Sequence, residues 1–224
     1  MTRPWEILDR ADSPEGPLEL RRRGEGDFLI TLAGRVLMNS AAHRSEWALA
    51  ELACARLVGR AAPRVLVGGL GMGLTLRAAL DALPGRAVVV VAELHPIIVD
   101  WCRGPLADLT DRAVEDARVE VALADVAAMI RAAARGGDRY DAILLDLYEG
   151  PRAGGGRGEE PFYGARALAA TRSALTRGGV FGVWAESPDA GFEKRLRASG
   201  FEVGRRRPGR GGLRHVVYVA QSPE

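Results

Sequence analysis

The stretch "RVLVGGLGMGLTLRAAL", Arg64 to Leu80, contains the clearest indication of the fold of this chain. It reads as a short apolar strand, then glycines at three alternate positions, then an amphipathic helix. Glycine adopts the positive φ angles of a tight turn, and a helix N-terminus attracts a phosphate or nucleoside. The stretch therefore predicts either a nucleoside-binding turn around Gly69, Gly71 and Gly73 or a plain strand-to-helix connection.

Strands and helices alternate on the C-terminal side of this turn. The apolar run "AVVVVAEL" is typical of a strand buried on both faces, and "RVEVALAD", "YDAILLDLY" and "VFGVWAE" follow, with helical stretches between them. Only a short glycine-rich connection joins "FEVGRRR" to "LRHVVYVAQ", which requires antiparallel pairing because a parallel crossover needs a dozen or more residues. The pattern predicts an α/β, doubly wound, seven-stranded, mostly parallel sheet with an antiparallel last strand over residues 61–224.

Residues 1–60 differ from the rest of the chain. "LELRRR" and "FLITLAGRVLMN" have β character with a turn signal at Gly34, which predicts a small hairpin. "SEWALAELACARLV" has helical spacing, and Ser45 is its predicted N-cap. We therefore expect a short N-terminal β-hairpin and helix region in front of the larger domain.

Composition limits the classes of function. The 224 residues suit one domain with a small appendage, and no apolar run approaches the ~20 residues of a membrane span. Cys54 and Cys102 have no metal-ligand spacing, so we expect reduced thiols, no metal and a cytoplasmic protein. The two arginine clusters are shorter than a nucleic-acid footprint, so nucleic acid is not an expected partner. The oligomeric state stays open, a homodimer included.

Acidic residues follow two further strands, at the sheet edge where ligands bind in this class of fold. Glu93 either accepts hydrogen bonds from both hydroxyls of a ribose or places a charge at the next helix. Asp125 either accepts a hydrogen bond from an adenine amine or caps the helix that starts there. An NAD-type site would use the same glycines and Glu93, but it requires neither the reversed strand nor an acid after the third strand. The pattern therefore favours S-adenosylmethionine and its relatives.

The fourth strand ends in "YDAILLDLYEGP", which places Asp146, Tyr148 and Glu149 close together. Two carboxylates beside an aromatic ring make a site for a cation, and one of them can take a proton from an ammonium nucleophile. The alternative is a strand-end aspartate followed by a solvated glutamate. The loop "GPRAGGGRGEEP" comes next, and its length and composition are typical of a lid over the site or of a disordered loop.

Five stretches together resemble the spermidine synthase family over roughly residues 34–184. They are "VLVGGLGMGLTLRAAL", "VVVVAELHPIIVDWCR", "RVEVALADVAAMI", "YDAILLDLYEGP" and "PFYGARALAATRSALTRGGVFGVW". The resemblance implies a class I methyltransferase-like fold behind a small N-terminal β domain. It also implies transfer of an aminopropyl group from decarboxylated S-adenosylmethionine to a small amine, in polyamine biosynthesis, with release of methylthioadenosine.

The resemblance also implies roles for individual residues. Glu93 would hold the ribose and Asp125 the adenine. Asp146 would be the base, Glu149 would be a second amine-binding acid beside Tyr148, and the loop over 149–161 would gate the site.

The chain departs from the family pattern at several points. The family's glycine turn usually reads G-G-G-D-G-G, and its aspartate contacts the aminopropyl amine, whereas Gly71 or Met72 takes that place here. The family's tyrosine–any–glutamate pattern survives only as Glu46, with Arg44 in place of tyrosine, and the hairpin glutamine has no clear match. Two alternatives therefore stay open, which are a methyltransferase using intact S-adenosylmethionine and a non-catalytic nucleoside-binding protein.

Overall fold

The computed structural model describes residues 3–41, 43–148, 150–151, 161–208 and 215–223. They form a four-stranded antiparallel sheet followed by a seven-stranded sheet with helices on both faces. Glu149 and most of the predicted lid lie outside the described residues. Within the described ranges, no helix has the length and apolar character that crossing a membrane would take.

The small sheet pairs its four strands in chain order. They are β1 (Glu6–Ser13), β2 (Gly16–Arg23), β3 (Asp27–Leu32) and β4 (Arg35–Asn39). The hairpin predicted around Gly34 is confirmed as β3 and β4, and β2 and β1 extend it into a four-stranded sheet. Strand β1 was missed because it is an edge strand whose residues are mostly exposed, so its sequence has no apolar alternation.

Helix α1 (Arg44–Cys54) connects the two sheets. The prediction that Ser45 caps this helix was wrong, because His43 occupies the N-cap position and no side chain makes the capping hydrogen bond. Ser45 lies inside the helix and is buried. The helix packs against the large sheet, where a Cβ added at Gly182 would lie 2.9 Å from Leu49 Cδ1. The domain division at residue 60 stays a prediction.

The large sheet has the strand order β10-β11-β9-β8-β5-β6-β7. Its strands are β5 (Arg64–Gly68), β6 (Val88–Glu93), β7 (Val119–Leu123), β8 (Tyr140–Leu145), β9 (Leu175–Ala185), β10 (Glu202–Arg206) and β11 (Val216–Gln221). Strands β5 to β9 pair in parallel, whereas β11 is antiparallel to both β9 and β10. The predicted fold class, with its reversed last strand, is confirmed.

Five further helices cover the two faces of the large sheet. They are α2 (Leu74–Ala82), α3 (Pro96–Arg103), α4 (Val126–Ala134), α5 (Ala165–Ala174) and α6 (Ala190–Ala198). Helices α1 to α3 contribute to one buried apolar cluster, and α4 to α6 contribute to the other. The sheet is therefore covered on both faces, which explains why β5, β6 and β8 read as continuous apolar runs.

One boundary differs from the sequence pattern. The pattern predicts that a single helix runs to a glycine stop at Gly178, but α5 ends at Ala174 and β9 begins at Leu175. The pairing of β9 with β8 shifts register between Tyr140 and Ala142, and Gly178 has a φ of 64° at this irregularity. The glycines therefore allow a bulge within β9 and do not end α5.

Candidate functional site

A cavity of about 700 Å³ lies at the carboxyl ends of the large sheet's parallel strands, under the small sheet. Its apolar wall comes from β2, β3 and β4, and its polar floor comes from the segments that follow β5, β6, β7 and β8. The volume lies within the range of small-molecule sites. Six of the predicted site residues line it, which are Gly69, Gly71, Glu93, Asp125, Asp146 and Tyr148. Gly73 is not part of the lining, and Glu149 lies outside the described residues.

The glycine turn has the backbone that the sequence predicts. Gly69, Gly71 and Gly73 have φ angles of 87°, 53° and 79°. A Cβ at Gly69 would lie 2.7 Å from the carbonyl oxygen of Asp146, and one at Gly71 would lie 2.9 Å from the sulfur of Met38. A side chain at Gly69 would collide with the backbone of the neighbouring strand end. At Gly71 the positive φ favours glycine, and a side chain would displace the flexible end of Met38.

Glu93 ends β6 and is buried beside the glycine turn. Its Oε2 accepts a hydrogen bond from the Leu70 amide at 2.9 Å, and its Oε1 accepts one from the His95 amide at 2.9 Å. These two bonds fix the carboxylate and still leave an acceptor site on each oxygen. The arrangement can bind two adjacent hydroxyl groups from the cavity.

Asp125 is the N-cap of α4, as one of its two predicted roles requires. Its Oδ1 accepts a hydrogen bond from the Ala127 amide at 2.9 Å, and Arg131 lies 3.5 Å from its other oxygen. The side chain is also 45% exposed and lines the cavity. Capping and ligand binding are therefore compatible at this residue.

Asp146 follows β8 at the floor of the cavity. Its amide donates to the Gly68 carbonyl at 3.0 Å, and Thr75 Oγ1 donates to its Oδ2 at 2.6 Å. Burial raises the pKa of Asp146 to about 7, the negative charge of Glu46 adds to the shift, and the hydrogen bond from Thr75 opposes it. A carboxyl group with such a pKa can both accept and release a proton near neutral pH.

Glu46 is a lining residue that the candidate set from the sequence lacked. It lies in the first turn of α1, is 7% exposed, and accepts a hydrogen bond at Oε2 from Ser45 Oγ at 2.7 Å. The spacing of α1 contained a signal, because Glu46 shares a face with the buried Leu49, Ala50 and Ala53. A carboxylate on an apolar helix face is rarely buried without a function or a counter-charge.

The lining of the cavity is rich in acidic groups. Its described lining holds five carboxyl groups, against one arginine, Arg35, and one histidine, His95. The five are Glu15, Glu46, Glu93, Asp125 and Asp146. Such a lining attracts a cationic ligand. Among the described residues, no cluster of histidine, cysteine and acidic side chains has the arrangement of a metal site.

Comparisons with known proteins give a consistent result. No family model matches the chain. The chain is 32% identical over 167 residues to the polyamine aminopropyltransferases of Mycobacterium tuberculosis and Mycobacterium bovis, a match that covers 75% of this chain. It is 34% identical over 83 residues to the polyamine aminopropyltransferase of Pyrobaculum calidifontis. These matches span only 30% and 28% of the relatives' own lengths, and the shorter one covers 37% of this chain.

Solved structures extend the similarity to the whole fold. Spermidine synthase from Thermotoga maritima superposes with a TM-score of 0.72 at 19% identity, covering 96% of this chain and 72% of that one. A spermidine synthase in complex with the transition state analogue AdoDATO gives a TM-score of 0.71 at 18% identity, with the same coverage. The chain is therefore spermidine synthase-like, with the fold of the spermidine synthases and a sequence similar to the polyamine aminopropyltransferases over three quarters of its length.

Proposed function

We propose that this chain transfers an aminopropyl group from decarboxylated S-adenosylmethionine to a small amine. The observation that carries the proposal is the cavity with five carboxyl groups, among them Glu46 and Asp146, which Thr75 Oγ1 links through contacts of 3.4 Å to the Glu46 main-chain oxygen and 2.6 Å to Asp146 Oδ2. Both substrates of such a reaction are cations, so a negative cavity favours their binding. The names of the relatives that match the chain support the same chemistry.

The residues suit the nucleoside half of such a donor. The glycine turn lets the backbone approach the ligand, Glu93 offers a fixed carboxylate for the ribose hydroxyls, and Asp125 offers an oxygen for the adenine amine. Apolar side chains of the small sheet, such as Ile30 and Leu37, would exclude water from the opposite side. These roles are the ones that the sequence predicts.

The transfer step needs one proton acceptor. The amine nitrogen forms a bond to the carbon next to sulfur, the carbon–sulfur bond breaks with its electron pair going to sulfur, and methylthioadenosine leaves. The positive sulfonium makes this departure favourable without further activation. Asp146, at the floor of the cavity, would take the proton that the ammonium loses, and Tyr148 and Glu149 would bind the acceptor amine. A homodimer, a cytoplasmic location and the absence of nucleic-acid partners stay predictions.

One observation favours methyl transfer as a second candidate. The glycine turn has no carboxylate of its own, and the Met38 thioether occupies the space beside Gly71, where its sulfur lies 3.1 Å from the Met72 amide nitrogen. An apolar group at this point suits a reacting methyl group better than an ammonium group. Intact S-adenosylmethionine would then be the donor.

Parallel incubations separate these reactions. The protein is supplied either with decarboxylated S-adenosylmethionine or with S-adenosylmethionine, each with a panel of diamines, and the products are identified by mass spectrometry. We expect methylthioadenosine and an aminopropylated amine from the first mixture, and about 10²–10⁴-fold slower turnover with Asp146→Asn. S-adenosylhomocysteine from the second mixture alone would establish methyl transfer, and nucleoside binding without any product would indicate a non-catalytic protein.

A further inference from the structure

Glu46 and Asp146 form a pair of like charges without a compensating cation among the described residues. Glu46 is 7% exposed, and its negative charge raises the pKa of Asp146. Neither carboxyl group takes part in an ion pair with the arginines of the described chain. Buried carboxylates are normally paired, because desolvation of an ionised group is costly. The pair therefore destabilises the empty site and would be stabilised by a cation.

Glu46 is held in place by hydrogen bonds that reach across the fold. Ser45 Oγ donates to Glu46 Oε2 at 2.7 Å, and His215 Nδ1 lies 3.1 Å from the same hydroxyl. When the single hydroxyl proton is donated to Glu46, Ser45 Oγ accepts from His215, which requires the His215 tautomer with its proton on Nδ1. The His215 ring packs edge-on against Trp184 with 4.9 Å between ring centroids. The two hydrogen bonds thus run from His215 to Ser45 and from Ser45 to the Glu46 carboxylate.

Asp146 is held by a hydrogen bond from α2. Thr75 Oγ1 donates to Asp146 Oδ2 at 2.6 Å and also lies 3.4 Å from the main-chain oxygen of Glu46. Two helices and the end of β8 therefore fix the two carboxyl groups in the lining of the 700 Å³ cavity. Side chains anchored in this way keep their positions when a ligand is absent, which reduces the cost of binding.

We infer that Glu46 and Asp146 together bind an alkylammonium group of the substrate, and that Ser45 and His215 position Glu46 for this contact. An ammonium group supplies the missing positive charge and has three N–H donors, enough to bond both carboxylates at once. The inference rests on the proposed function for the identity of the substrate. Glu46 would thus provide the acidic contact that the glycine turn lacks.

Calorimetric titrations of the full chain test this inference. Wild type, Glu46→Gln and the control Glu51→Gln, which removes an exposed charge from the same helix, are titrated with methylthioadenosine, with decarboxylated S-adenosylmethionine, and with putrescine both alone and after methylthioadenosine. We expect Glu46→Gln to weaken binding of an ammonium ligand roughly 10–100-fold, as for a lost charge-assisted hydrogen bond, and to leave methylthioadenosine binding unchanged. Glu51→Gln should match wild type throughout. Thermal unfolding checks that the variants fold.

The titrations of Glu46→Gln show whether Glu46 contacts the ammonium group of the donor or that of the acceptor. Weaker binding of decarboxylated S-adenosylmethionine places the donor's ammonium at Glu46, and weaker binding of putrescine places the acceptor's there. Ser45→Ala should reduce the same affinity roughly 2–10-fold, and Ser45→Thr should restore it. Ammonium affinities of Glu46→Gln equal to those of Glu51→Gln, or no ammonium binding by wild type, would overturn the inference. Wild type that binds ammonium ligands but no methylthioadenosine would refute the proposed function and leave the carboxylate pair intact.

Discussion

Thr75 and Asp146 are joined by a hydrogen bond of 2.6 Å from Thr75 Oγ1 to Asp146 Oδ2, which links the first turn of α2 to the end of β8. The bond favours the ionised form of Asp146, but burial and the nearby charge of Glu46 outweigh it and raise the pKa of Asp146 to about 7. The empty protein therefore carries a proton at its proposed reaction centre under mildly acidic conditions. The protonation state of Asp146 therefore affects both the stability of the fold and the proposed catalysis.

Stability should fall as the pH rises toward neutrality. The folded pKa of Asp146, about 7, exceeds the ordinary value of 3.8, so the folded state retains a proton that the unfolded chain has released. The contribution is complete below about pH 4 and disappears as the pH passes 7. Asp146→Asn removes it. Between pH 5 and pH 8, the unfolding free energy of the wild type should fall by up to about 3 kcal/mol more than that of Asp146→Asn.

Chemical denaturation at the two pH values measures this effect, with Glu51→Gln as a control for charge removal at the surface. The variant should also be more stable than wild type at pH 8, because no buried charge faces Glu46. An identical pH dependence in wild type and Asp146→Asn would show that Asp146 ionises normally.

Glu93 should affect both ligand affinity and stability. Its two carboxylate oxygens accept hydrogen bonds from the Leu70 and His95 amides, so Glu93→Ala leaves one buried and one half-buried donor without these partners. We expect unfolding to become easier by about 1–3 kcal/mol and methylthioadenosine to bind more weakly by about 1.5–3 kcal/mol. Glu93→Gln keeps one acceptor oxygen and should lose less stability. Nucleoside affinity that is unchanged in the folded Glu93→Gln variant would remove this residue from the ribose site.

The sequence predicts the large sheet well because its signals are local. Alternation of apolar runs with glycine-ended helices identifies β5, β6 and β8. Glu93 at the end of β6 and Asp146 directly after β8 identify the edge where ligands bind. Glu46 was not among the predicted site residues because only the tertiary structure brings its side chain to the cavity that Asp146 also lines. Strand β1 and the bulge at Gly178 were missed for a related reason, since pairing with a neighbouring strand determines both.

Asp125 offers a way to separate a structural role from a binding role. Its side chain caps α4 through the Ala127 amide at 2.9 Å, and the same side chain lines the cavity. Asp125→Ala should cost about 1 kcal/mol of stability, whereas Asp125→Ser keeps a capping oxygen and should cost only a few tenths. Both variants lose the longer, charged side chain, so both should bind methylthioadenosine more weakly. Full nucleoside affinity in Asp125→Ser would assign this residue to capping alone.

Gly71 and Met38 should be energetically coupled. Gly71 has a φ of 53°, and a Cβ added there would lie 2.9 Å from both the sulfur and the terminal methyl of Met38. Gly71→Asp would introduce a carboxylate into the turn, but it requires a left-handed backbone and displacement of the thioether. We expect a loss of about 1–3 kcal/mol from the strain and the contact together.

Met38→Ala removes the obstructing group and isolates the two effects. In the double variant, the steric part of the destabilisation should be recovered, so that Gly71→Asp costs less in the Met38→Ala background than in wild type. A coupling energy of about 0.5–3 kcal/mol from denaturant unfolding of all four proteins would establish the contact. The new carboxylate should also increase the affinity for decarboxylated S-adenosylmethionine relative to Met38→Ala alone. Additive stabilities would show that the Met38 side chain moves freely away from the turn, and the thioether would then not determine which group of the donor is accommodated.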